Sequence, residues 1–126
     1  MPIEEYKNEV MESDAMVALV VERLRAMADE NRIRLLLRLK KGPAGVGELA
    51  KEIGLAQPSV SKHLGVLKQV GLLDCERRGT AAIYSIKDQT IFELCSIVCD
   101  GVTRFVQEQH DALGLGTAVK AKRSRK

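Results

Sequence analysis

The apolar residues of this chain predict a mainly helical fold that carries one small β-hairpin. Two observations predict it. Across residues 13–70, and again after Asp88, hydrophobic side chains recur at helical spacings. Between those stretches, over residues 72–86, the pattern changes to two short strands about Gly79-Thr80. With 126 residues, 45% of them hydrophobic and 29% charged, the chain suits one core and one domain.

Each element has its own signal. Residues 1–12 are acidic and weakly periodic, and are read as a flexible lead-in. From Ser13 to Asp29, Met16, Leu19, Val20, Leu24, Met27 and Ala28 suit the buried stripe of a first helix. Asn31 is the expected cap of a second helix, with Ile33, Leu36 and Leu37 inward and Arg32, Arg34, Arg38, Lys40 and Lys41 in water. Gly42-Pro43, with Gly45 and Gly47, ends it. Val46, Leu49, Ala50 and Ile53 then fall at i, i+3, i+4, i+7, and Gly54 sits where a left-handed cap residue is wanted. Pro58 opens the next helix, in which Val60, Leu64 and Leu67 repeat the stripe until Gly71. Residues 72–78 and 81–86 form the hairpin, and Asp88 is the expected cap of a last helix. That helix carries Ile91, Leu94, Cys95, Val98, Val102 and Phe105 on one face. Gly114 and Gly116 close it, and the remainder reads as a disordered basic tail.

Three helices, a turn, a fourth helix, a hairpin and a final helix make a winged helix-turn-helix. The expected organisation is a lead-in over residues 1–12, the winged domain over 13–113 and a basic tail over 114–126. No apolar run approaches the roughly 18 residues that span a bilayer. The acidic start, with Glu4, Glu5, Glu9, Glu12 and Asp14, is unlike a secretory signal, so the chain is expected in the cytoplasm and away from membranes.

Charge is segregated. Residues 1–30 balance to −5, residues 31–80 to +6, residues 81–119 to −3 and residues 120–126 to +5. A basic middle of this kind suits a polyanion. Cys75, Cys95 and Cys99 are too few for a disulfide scaffold and read as core residues or reactive thiols. The histidines are His63 and His110, and no nucleophile–base pair or phosphate loop is present, so the chain is not expected to be an enzyme.

The stretch AMADENRIR over residues 26–34 resembles the "ALADENRLR" opening of the ArsR/SmtB family of repressors. GELAKEIGLAQPSVSKHL, residues 47–64, is similar to that family's helix-turn-helix. The likeness continues through Val66-Leu67-Lys68, Gly71-Leu72-Leu73, Arg77-Arg78-Gly79 and Ile83-Tyr84-Ser85, and so covers roughly residues 20–105. It implies a winged helix-turn-helix that dimerises through its first and last helices and binds an operator in double-stranded DNA. The expected DNA-reading residues are Gln57, Ser59, Ser61 and Lys62, with His63 and Lys68 toward phosphates, His63 serving equally well as a packing residue. Arg77 and Arg78 suit the backbone or a minor groove.

Two effector sites of the family are missing. Residues 44–49, AGVGEL, lack the "C-V-C" of arsenic sensors. Asp88 matches the acid of the zinc sensors' "D-x-H", but Thr90, Gly101 and Arg104 stand at the other ligand positions. What remains is Cys95 and Cys99 at i, i+4 on the last helix, with Cβ atoms expected about 5–6 Å apart. They are expected to hold As(III) or another thiophilic metal ion as inducer, with Cys75 or a thiol across the dimer as third ligand; no cofactor is required. Two alternatives stay open: sensing of oxidants or reactive sulfur, and an interaction module without effector whose cysteines only pack.

Overall fold

The structure is a computed structural model that describes residues 2–114, so the basic tail, apart from Gly114, lies outside the described residues. The chain divides into two compact units, one up to Asp88 and one from Gln89 onward. The first contains α1 (Ile3–Glu12), α2 (Asp14–Met27), α3 (Glu30–Lys40), β1 (Ala44–Gly45), α4 (Val46–Ile53), α5 (Gln57–Gln69), β2 (Leu73–Arg78) and β3 (Ala81–Ile86). The second contains α6 (Ile91–Ala112). The fold is mainly helical with a small antiparallel sheet, a winged helix-turn-helix.

Leucines make the core. Leu35, Leu36, Leu49, Leu64, Leu67, Leu72, Leu73 and Val60 are fully buried, and no charged or polar residue shares that depth among the described residues. Each such side chain contributes roughly 1.5–3 kcal/mol by leaving water. In the hairpin, Arg78 pairs with Ala81 and Leu73 with Ile86, so the loop is the two residues Gly79-Thr80. Gly79 has a φ of 62°, the backbone that so tight a hairpin requires. Gly54 has a φ of 80° and accordingly ends α4 with a sharp turn into α5.

Several local expectations need correction. The acidic lead-in contains the helix α1. The cap of α3 is Asp29, not Asn31: its carboxylate accepts from the N–H groups of Asn31 and Arg32 at 2.9 and 3.1 Å. Capping from Asp29 leaves Asn31 inside the helix. On α3 the inward residues are Leu35, Leu36 and Leu39, while Leu37 is 47% exposed. The helical neighbours of Leu37 are Ile33, Arg34, Lys40 and Lys41, so burying it would draw charges into the core. The strand β1 was not expected. It pairs Ala44 with Tyr84 and Gly45 with Ile83, making the order β1-β3-β2.

Pro58 is the second residue of α5 rather than its first, with Ala56 at the N-cap. The N-cap position of α6 falls to Thr90, not Asp88. The Asp88 carboxylate instead accepts from Arg23 at 2.7 Å, and the same guanidinium donates to the Val70 carbonyl at 2.8 Å. One arginine on α2 thereby ties the end of α5 to the end of the hairpin.

The N–H of Arg32 holds the Asp29 carboxyl below the ordinary aspartate pKa. Partial burial opposes this, and the Asn31 N–H and the charges of His63 and Arg32 add to it. A depressed native pKa adds stability above the unfolded-state value, and that stability is lost as the pH falls. Asp29→Ala should therefore lower the melting temperature at neutral pH. Its difference from the wild type should shrink toward zero as the pH drops below about 4, as thermal melts over a pH series will show.

Candidate nucleic-acid interface

The helix-turn-helix brings the expected residues to one helix. α5 buries Val60, Leu64 and Leu67 completely, which turns its remaining faces outward. Gln57, Ser59, Ser61, Lys62 and Lys68 are all exposed. The Gln57 amide leans over the first turn of α4, where a Cβ on Gly47 would stand 3.5 Å from its Nε2. The first turn of α5 carries no acid, and no side chain caps it. Its leading N–H groups thus keep their capacity for an outside acceptor.

His63 stands apart from these five. It is half-buried, and its Nδ1 accepts a hydrogen bond from Arg32 Nε at 3.0 Å. An accepting Nδ1 leaves the ring proton on Nε2. Arg32 also donates to the Ala26 carbonyl at 3.3 Å. α2, α3 and α5 therefore meet at one guanidinium. Sequence reasoning placed Arg32 in water and missed this brace; its only signal was an arginine beside the Asp29 cap, one helical turn from the core leucines.

Arg38, also expected in water, is taken up in the same way. It donates to Glu52 and Glu48 on α4 and to the Gly42 carbonyl. The positive charge of the chain's middle is thus partly internal. Lys62, Lys68 and Arg77 make no ion pair with another described residue. Arg77 and Arg78 end β2, exposed beside the hairpin loop, and Arg78 lies 3.4 Å from Glu76 in a loose surface pair. Such a pair is worth about 0–1 kcal/mol and leaves the guanidinium available.

The cysteines separate into two settings. Cys75 lies on β2 opposite Tyr84, half-buried. Burial first, and the adjacent thiol second, push the Tyr84 hydroxyl above its ordinary pKa. Cys95 and Cys99 lie on α6, the first half-buried and the second exposed. Among the described residues no three His, Cys, Asp or Glu side chains come together as metal ligands. The Cys99 carbonyl accepts from the Thr103 hydroxyl at 2.8 Å.

Comparison with known proteins agrees with this geometry. Residues 29–74, the span from the α3 cap into β2, match the family described as bacterial regulatory protein, arsR family. The chain is 37% identical over 81 residues to the HTH-type transcriptional regulator KmtR of Mycobacterium tuberculosis, covering 64% of this chain and 62% of KmtR, a little under two thirds. It is 34% identical over 100 residues to the uncharacterized HTH-type regulator Rv0081 of that organism, covering 79% of this chain and 88% of Rv0081. The Rv0081 crystal structure superposes with a TM-score of 0.68 at 33% identity, over 77% of this chain and 98% of that one. The homodimeric winged helix-turn-helix domain Mb0332 of Mycobacterium bovis, solved by NMR, does so with a TM-score of 0.64 at 29% identity, over 71% of this chain and 88% of that one. With the α3 cap, the α4–α5 turn and the wing all in place, the chain belongs to the arsR family of bacterial regulatory proteins.

Proposed function

We propose that this chain is a homodimeric transcription repressor that reads an operator in double-stranded DNA with α5 and releases it when a thiol-directed ligand engages Cys95 and Cys99. One observation carries the DNA half. α5 is anchored by three fully buried side chains, while its opposite surface offers an uncapped N-terminus, Ser61, Lys62 and Lys68 to the outside. Gln57 and Ser59 flank that surface and supply further hydrogen-bonding groups, and Arg77 and Arg78 extend the charge along the wing.

The dimer is supported by apolar surface that one copy leaves in water. On α2 these residues are Val17, Leu19, Val20 and Leu24; on α6 they are Ile97, Val98, Val102 and Phe105, with Ile97 68% exposed. Two helical faces of this kind mark an interface. A two-fold pair sets two copies of α5 about one or more DNA turns apart.

The effector half rests on Cys95 and Cys99 lying one turn apart on that same helix, with Cys99 accessible. Binding As(III) exchanges the three hydroxides of As(OH)3 for three thiolates and releases three waters. The pair on one α6 supplies two thiols, and Cys75 or a thiol of the second copy supplies the third. Such a ligand releases the operator only if it prefers the dimer arrangement that holds the two α5 helices out of register.

Lys62→Ala should weaken operator binding by about 1–3 kcal/mol and reduce the salt slope by about one phosphate. Ser61→Ala should weaken binding without that change of slope; a salt titration of both against wild type checks this, and unchanged binding in both places the reading surface elsewhere. The Arg32 bond favours the reading of His63 as a brace over its reading as a phosphate ligand. His63→Asn keeps an acceptor near the Nδ1 position and should retain affinity, whereas His63→Gln, with its donor near Nε2, should lose about tenfold. The reverse order of the two variants puts His63 on the DNA. The double variant Cys95→Ser/Cys99→Ser should sediment as a dimer and bind operator, but no longer release it with As(III). Wild type that holds its operator equally well with As(III), Cd(II), peroxide and persulfide would leave the cysteines as packing residues.

A further inference from the structure

We infer that Gly65 is the point of closest approach between α5 and DNA, a dent in the helix surface that seats one strand of the sugar–phosphate backbone. The inference rests on the reading of α5 as the DNA-binding helix and goes beyond it by naming a residue without a side chain. Gly65 lies well inside the 13-residue α5. Glycine is the least favourable residue for a helix interior apart from proline, so its presence there calls for a cause.

The chain itself supplies none. Gly65 is not among the glycines with positive φ, so its backbone suits any L residue. A Cβ built on it would meet no heavy atom within 4 Å, so packing does not exclude a side chain either. Other glycines of the same unit are explained from within. Gly54 and Gly71 have φ of 80° and 81°, which favour glycine whatever the surroundings.

What Gly65 shares is position. It lies one turn beyond Ser61 and Lys62 and one turn before Lys68 and Gln69, all exposed, roughly opposite the buried stripe. Removing the Cβ at the centre of this surface lets an outside group come about 1.5 Å nearer the helix backbone, one carbon–carbon bond length. Lys62 and Lys68 flank the dent without ion-pair partners among the described residues. Their ammonium groups favour a phosphodiester strand as occupant, because lysine neutralises phosphates and is depleted at protein–protein interfaces.

The test uses the full chain and a duplex recovered by the wild type from a randomised pool. Gly65→Ala should raise the melting temperature by about 3–6 °C, since alanine is the better helix former and meets nothing. The same variant should weaken binding about tenfold, on the scale of one lost contact, and Gly65→Leu should weaken it further. Gains in stability and losses in affinity then run in opposite directions, which a structural glycine would not produce. A lower melting temperature for Gly65→Ala overturns the inference, because the fold would need the glycine. Full affinity in both variants while Lys62→Ala binds weakly overturns it and leaves the reading of α5 standing. Full affinity in Gly65→Ala, Lys62→Ala and Ser61→Ala together overturns both. Loss of dimer on sedimentation of Gly65→Leu assigns the dent to a protein contact and overturns it as well.

Discussion

Everything that α5 presents to the outside depends on the burial of three residues on its other side. Val60, Leu64 and Leu67 have no solvent exposure, and between them contribute several kcal/mol of apolar burial. No other force on this helix is comparable. Its N-cap is an alanine without a side-chain bond, and its interior contains a glycine. The helix is thus held from below by packing rather than by its own propensity, which is why its upper surface can be composed for another purpose.

Packing fixes where the helix lies, but an apolar stripe tolerates rotation and sliding. Direction comes from polar contacts at its edges. Arg32 reaches His63 from α3, and Arg23 reaches the Val70 carbonyl from α2 at the far end. α4 is tied to α3 by Arg38 through Glu48 and Glu52. These groups are partly exposed, so each pair adds little to stability on its own. Their geometric demand is the larger effect: a fork with fixed donors is satisfied at one orientation of its acceptors.

Much of this architecture is legible in the sequence. The stripes of α4 and α5, the turn at Gly54 and the hairpin at Gly79-Thr80 all appear in the structure at their expected places. Those features depend on spacing and on single residues with strong local preferences. The failures share a different cause. On α3, apolar residues at 33, 35, 36, 37 and 39 allow more than one inward face, and the choice falls to their charged neighbours. β1 is two residues long and exists only through its pairing with β3, so no local pattern announces it. Asp29 and Asn31 are both good caps, and Asp88 precedes α6 as a cap would, yet it lies against an arginine 65 residues away. At the candidate interface the exposed residues of α5 were readable from the helical period. The brace on His63 was not, because it joins residues 31 apart.

Three arginines of the first unit are given to the fold itself. Arg23, Arg32 and Arg38 each donate to two or three acceptors inside the fold, and each combines a side-chain partner with a backbone carbonyl. A planar guanidinium can satisfy such divergent acceptors at once, whereas an ammonium is a point charge on a flexible stem. The lysines of α5 lie on the outside, and under the proposed reading a point charge there suffices to neutralise phosphate while a flexible stem can follow an irregular strand. The wing reverses the choice, placing Arg77 and Arg78 beside its loop. An exposed guanidinium there keeps its fork for an outside acceptor, which suits a narrow groove better than an ammonium does. The +6 balance of residues 31–80 therefore overstates the charge available to a polyanion and understates its order: part of it fixes the helices, and the remainder lies on the surfaces they position.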